Sequence, residues 1–192
     1  MSQVNFSSTS SVSFGELGPT TSLQLMFAKL QLELAQTAKT QAMDKMDAIA
    51  KAQDEQKFVS QLLNEARQAK ADANSGVGND KEKTQTYELP KKDANGNEVH
   101  DAQGNVVYET VTETVPKGNN ATFMSQEMVD YMDAHGLAYD KTGGDYNHSS
   151  DEWDVAITAL ESRLEELGTN TQQEMVYVQD YMGQYNSYLQ GA

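Results

Sequence analysis

The chain has 192 residues, 29 of them acidic and 14 basic, for a net charge of −15, with no cysteine and only three prolines. That charge repels nucleic-acid phosphates and anionic lipid, so no nucleic-acid partner is expected, and the missing cysteines exclude disulfides, thiolate zinc sites and cysteine nucleophiles. With 38% apolar residues and a mean hydropathy of −0.68, an elongated, mainly helical molecule with a thin core fits better than a compact enzyme.

Residues 1–20, MSQVNFSSTSSVSFGELGPT, are rich in Ser, Thr and Gly. They lack the basic start and apolar run of a cleaved signal peptide and predict a disordered leader. No window reaches the ~18 apolar residues of a membrane span, so stable membrane insertion is not expected. Residues 21–73 contain no Gly or Pro and are dense in Ala, Leu, Gln, Lys and Glu, which predicts one long helix of roughly fifty residues, or about 75 Å. Its apolar positions Leu23, Phe27, Leu30, Leu34, Ala38 and Ala42 step by 4, 3, 4, 4 and 4 and continue less regularly through Met46, Ile49, Phe58 and Leu62. That spacing predicts a coiled-coil seam of irregular register. This arm balances seven basic against seven acidic residues, whereas 121–167 carries eleven acidic and two basic ones.

Residues 74–120 differ in kind. TQTYEL and VVYETVTETV alternate polar with β-branched or aromatic residues, as a half-exposed strand does, and predict a β-rich hairpin insertion. The intervening DANGNEVHDAQGNVVYE places Asp93, Asn95, Asn97, Val99 and Asp101 where a calcium loop has ligands. That loop fails because its twelfth position is Gly104, where the bidentate Glu is required. Asn95-Gly96 and Gln103-Gly104 instead suit tight turns that need a positive φ. The expected element is a hairpin over about 86–115, projecting sideways from the helical body with its turns exposed.

Residues 121–150 predict a short helix and a loop, with Ser125 as N-cap and Gly136 as terminator of SQEMVDYMDAHGL. Residues 151–192 predict a second long helix, striped by Trp153, Ile157, Leu160, Leu164, Leu167, Thr171, Met175, Val178, Met182, Tyr185 and Leu189. Gly168-Thr-Asn-Thr leaves a kink or break there open. The fold expected is therefore mainly α: two long terminal helices in an antiparallel coiled coil, with a short helix and a small β-hairpin insertion between them.

The three histidines, His100, His135 and His148, have no HxxxH or HExxH spacing; His148 with Asp145 and Asp151 would make a weak metal cluster, and a solvated acidic loop is the preferred reading. Without a GxGxxG, a P-loop or a GxSxG motif, no catalytic, cofactor or metal site is expected, and no enzyme.

Three stretches resemble the EspA/SseB-type hydrophilic translocators, the filament or needle-tip subunits of bacterial type III secretion systems. They are the Ser-rich leader running into SLQLMFAKLQLELAQTAKTQAMDKM, the short helix SQEMVDYMDAHGL, and the Gln-rich closing helix TNTQQEMVYVQDYMGQYNSYL. Residues 74–120 depart from that family, being longer and more β-like. The resemblance implies a secreted, extracellular structural subunit that self-assembles into a filament or tip and serves as a conduit for effectors. Its implied partners are other copies of the chain, the needle subunit, the pore-forming translocators and a dedicated cytosolic chaperone, with the leader as an uncleaved export signal. The composition supports assembly independently: Leu25, Met26 and Leu32 lie beside the first stripe and Val176 and Tyr181 beside the second, more apolar surface than one helix pair buries. Head-to-tail burial of such surface builds open filaments. A cytosolic coiled-coil adaptor or chaperone-like protein is the alternative reading.

Overall fold

In a computed structural model of the chain the described residues run from Thr21 to Gly191, so the predicted leader lies outside them. In order the elements are α1 (Thr21–Ser75), β1 (Lys83–Pro90), β2 (Tyr108–Val115), β3 (Thr122–Phe123), α2 (Gln126–Ala134), β4 (Asn147–His148) and α3 (Trp153–Gln190). The fold is the predicted one: α1 and α3 are long helices packed against each other, with the short helix and the hairpin between them. The chain divides into two compact units, one of Met1–Lys51 with Thr171–Ala192 and one of Ala52–Asn170.

The Ala52–Asn170 unit holds the hydrophobic core. Val59, Leu62, Leu63, Ala66 and Ala73 of α1 close on Trp153, Ala156, Leu160 and Leu167 of α3, and Met128, Val129 and Met132 of α2 complete the cluster. The ion pairs Arg67–Glu161 and Glu55–Arg163 run in opposite chain directions, which makes the helix pair antiparallel here. Helix α2 is set by its caps. The Ser125 hydroxyl accepts the Met128 N–H at 3.2 Å, and Gly136, at φ 63°, turns the chain so that the Leu137 N–H reaches the Met132 carbonyl.

Helix α3 runs unbroken through Gly168, because this glycine serves close helix approach. A Cβ there would lie 3.3 Å from the Gln56 side-chain nitrogen. The sequence reading also missed the pairing of β3 with β4, in which Thr122 faces His148 and Phe123 faces Asn147. Two-residue strands carry no alternation to read. What fixes them is tertiary: Thr122 donates its hydroxyl to the Ala69 carbonyl of α1 and accepts the Trp153 indole N–H of α3.

β1 and β2 pair antiparallel from Lys83↔Val115 to Pro90↔Tyr108. The expectation of half-exposed strands projecting sideways is sharpened at the base of the hairpin. Tyr87 and Val115 are fully buried, and the Tyr87 hydroxyl donates to the Met124 carbonyl at 2.6 Å. An aromatic side chain at one inward position of an eight-residue strand is enough to root the hairpin in the core.

The tip folds as the repeat demands. Lys91 N–H donates to the Val107 carbonyl, Val107 N–H to Val99 and Val99 N–H to Lys91, closing a ring of three hydrogen bonds at eight-residue steps. From this ring emerge two like turns, at Asp93–Asn97 and Asp101–Asn105, with Gly96 at φ 84° and Gly104 at φ 86°. In each, one Asp oxygen accepts two backbone N–H groups: Asn95 and Asn97 in the first turn, Gln103 and Asn105 in the second. These bonds hold both carboxyls below the ordinary 3.8. The acidic side chains that mimic a calcium loop in sequence are thus engaged in Asx turns.

Candidate functional site

In the unit of Met1–Lys51 with Thr171–Ala192, the helix pair is closed by small and polar residues. On α1, Ala28, Gln31, Ala35, Ala38, Ala42, Lys45 and Ile49 are buried or half-buried and alternate steps of 3 and 4, the a and d spacing of a heptad. On α3, Thr171, Glu174, Val178, Tyr181, Tyr185 and Tyr188 do the same. Lys45 bridges the helices, pairing with Glu174 at 2.9 Å and standing over the Tyr177 ring at 5.2 Å. The pairing with Glu174 outweighs desolvation and raises the lysine pKa.

This seam is the predicted one only in part. Leu23, Phe27, Leu30, Leu34 and Met46 were expected to line it but are exposed, Leu23 by 66% and Phe27 by 60%. Met175, Met182 and Leu189 of α3 are exposed as well. The physical reason is steric. Alanines facing α3 let the backbones approach closely, and the larger side chains are displaced to the flanks. At 3.6 residues per turn, Leu23, Phe27, Leu30 and Leu34 lie roughly a quarter-turn to one side of the alanine line, and Leu25, Leu32 and Met43 roughly a quarter-turn to the other. Of the predicted stripe in this unit, Ala38, Ala42 and Ile49 on α1 and Thr171, Val178 and Tyr185 on α3 keep seam positions. In the Ala52–Asn170 unit the prediction fares better, since Leu62, Trp153, Leu160 and Leu167 are buried and Ile157 and Leu164 half-buried. The overlooked signal was the seven-residue spacing by which Ala28 and Ala35 lead into Ala42.

The candidate functional surface is therefore the pair of apolar flanks on this unit: leucines, a phenylalanine and methionines, none of which has a place in the chain's own core. Soluble monomers rarely leave contiguous surface of this kind bare, and it marks a site for a partner. Met175, Met182 and Leu189 recur every seven residues on α3, so that helix also presents a straight apolar line.

Two polar clusters occupy the Ala52–Asn170 unit. Arg163 donates to Glu55 at 2.8 Å, to the Tyr131 hydroxyl at 3.0 Å and to Glu166 at 3.2 Å, while Tyr131 donates to Glu55 at 2.8 Å and stacks on His135 at 4.1 Å. Burial pushes the Glu55 carboxyl up, but the bonds from Arg163 and Tyr131 outweigh it and hold it below the ordinary 4.5. Every member of this set is engaged with another, which is the pattern of a structural cross-brace between α1, α2 and α3. The second cluster corrects the reading of His148 as part of a solvated loop. It is completely buried, and its acidic neighbours are Asp140 and Glu152.

Fold and surface together define a mainly helical, hairpin-like fold with apolar flanks that its own core leaves exposed. Compared with known protein families, curated proteins and solved structures, the chain matches none. Among the described residues no helix is long and apolar enough to cross a membrane.

Proposed function

We propose that the chain is a non-enzymatic structural subunit, secreted through a type III secretion system, that self-assembles outside the bacterium into a helical filament or needle-tip complex serving as a conduit for effectors and translocators. The single observation that carries the self-assembly is the exposed apolar flank on α1, Leu23, Phe27, Leu30 and Leu34, beside a seam already filled by alanine. The occupant of that flank is a second copy of the chain. α3 offers a matching apolar line at Met175, Met182 and Leu189, and the last turn of α3 has no basic side chain to offset its dipole, so burial against a neighbour satisfies both needs. The assignment to type III secretion rests on the resemblance of the leader, the short helix and the Gln-rich closing helix. On this reading a cytosolic chaperone covers the flanks before export, and the needle subunit and pore-forming translocators are the neighbours afterwards.

The test has two arms. Negative-stain microscopy with sedimentation velocity over rising concentration should reveal polymers, and residues 1–20 fused to a reporter should be exported by a secretion-competent cell. Monomer at every concentration overturns the assembly. Polymers without export of the reporter overturn the secretion assignment and favour a cytosolic coiled-coil adaptor.

A further inference from the structure

The connection from α2 to α3 holds a group that the assembly surface does not use. His148, in β4, is completely buried, and neither ring nitrogen has a hydrogen-bond partner. Its ring meets Trp153 edge-on at 5.0 Å and lies 6.3 Å from the ring of Tyr139. Buried polar side chains are nearly all hydrogen-bonded, so an imidazole with both nitrogens orphaned calls for a specific explanation. Glu152, one residue before α3, places a carboxylate oxygen 3.8 Å from Nδ1, too far for a hydrogen bond. Asp140, in the loop after α2, completes a set of three whose ligand atoms all lie within 4.8 Å of one another. The Asp140 carboxylate is oriented by the Thr142 N–H at 2.8 Å.

We propose that Asp140, His148 and Glu152 form a binding site for a divalent transition metal of the zinc class. An imidazole nitrogen and two carboxylates are the donors such an ion takes, at about 2.0–2.2 Å, which puts tetrahedral ligand atoms roughly 3.3 Å apart. The observed spacing is wider, 3.8 Å between His148 and Glu152 and up to 4.8 Å across the set, and Glu152, with its side chain 37% exposed, has the freedom to swing inward. The imidazole also selects against calcium and magnesium, which prefer all-oxygen cages. Burial lowers the imidazole pKa against the pull of Glu152, Asp140 and Asp145. The ring is thus neutral at neutral pH, the form that offers a lone pair. Three protein ligands leave a fourth position for water. The bound ion ties the loop after α2, strand β4 and the start of α3 to one point, so its effect is to brace the core around Trp153. The sequence offered Asp145 and Asp151 as the acidic neighbours of His148, whereas the fold brings Asp140, from across a loop, and Glu152 into the ligand set.

The chain has a single tryptophan, Trp153, which serves as the reporter. Full-length protein stripped with chelator and titrated with ZnCl2 should take up one equivalent by calorimetry, with a saturable change in Trp153 fluorescence and a rise in melting temperature. CoCl2 should give a visible d–d band. Glu152→Gln and Asp140→Asn, both partly exposed, should each weaken binding at least tenfold while melting like the wild type without metal. The proposal is overturned by non-saturable binding, by undiminished affinity in both variants, or by Zn2+ binding that is lost in a His100→Asn/His135→Asn chain and leaves Trp153 fluorescence unmoved.

Discussion

Replacing Leu30 and Leu34 together by Asp separates assembly from folding. The two side chains are 51% and 39% exposed in the single chain, so each keeps about half of its burial for a partner. Full burial of a leucine is worth ~1.5–3 kcal/mol, so the pair forfeits about 2 kcal/mol per subunit interface. At 1.4 kcal/mol per decade that raises the critical concentration roughly 30-fold, and the cost of desolvating an unpaired carboxylate adds to it. Within the monomer the change costs up to ~0.7 kcal/mol of helix propensity per residue, together with the partial burial each leucine already has along its own helix. Sedimentation velocity across a concentration series, paired with circular-dichroism melts, should show lost assembly on a near-normal melt. Ala38→Asp is the contrasting control, because at 2% exposure it drives a carboxylate into the helix pair itself and should lower the melt. A Leu30/Leu34 variant that polymerises at the wild-type concentration, or that melts as poorly as Ala38→Asp, refutes the division of the helix into seam and flank.

Tyr87→Phe removes a buried hydroxyl and strands the Met124 carbonyl, so urea unfolding should report a loss of about 1–3 kcal/mol; no loss would return the hairpin to a free excursion. Arg163→Met leaves Glu55 and Tyr131 without their shared donor, and should cost about 1.5–3 kcal/mol in the same assay. Since Glu55 is held below its ordinary 4.5, its bonds stabilise the fold above that pH, and the contribution fades as pH falls through the lower folded value. The Arg163→Met chain should therefore lose the wild type's acid-side slope there. Asp93 and Asp101, both depressed below 3.8 by backbone N–H bonds, should titrate below that value by NMR, with the Asn95, Asn97, Gln103 and Asn105 amides shifting in step. Ordinary titration at 3.8 would mean the Asx turns do not persist in solution.

Local rules carried much of the fold. The long Gly- and Pro-free run predicted α1 to within two residues, Ser125 and Gly136 bounded α2, and Asn-Gly and Gln-Gly at eight-residue spacing gave both turns of the hairpin tip. Each of these depends on residues within one or two turns of chain, where propensity, capping and positive φ decide the outcome. Tertiary structure decided which face of each long helix pairs. The predicted stripe joined Leu23, Phe27, Leu30 and Leu34 to Ala38 and Ala42, yet the helices close on the alanines, Ala35 among them, and leave the larger residues exposed, because small side chains let two backbones approach and periodicity alone does not rank close approach against bulk. Gly168 likewise has the composition of a break and the contacts of a close crossing. The tertiary structure alone also rooted the hairpin through Tyr87 and gathered Asp140 and Glu152 around His148, since residues from separate loops become neighbours only when the core between α1, α2 and α3 has formed.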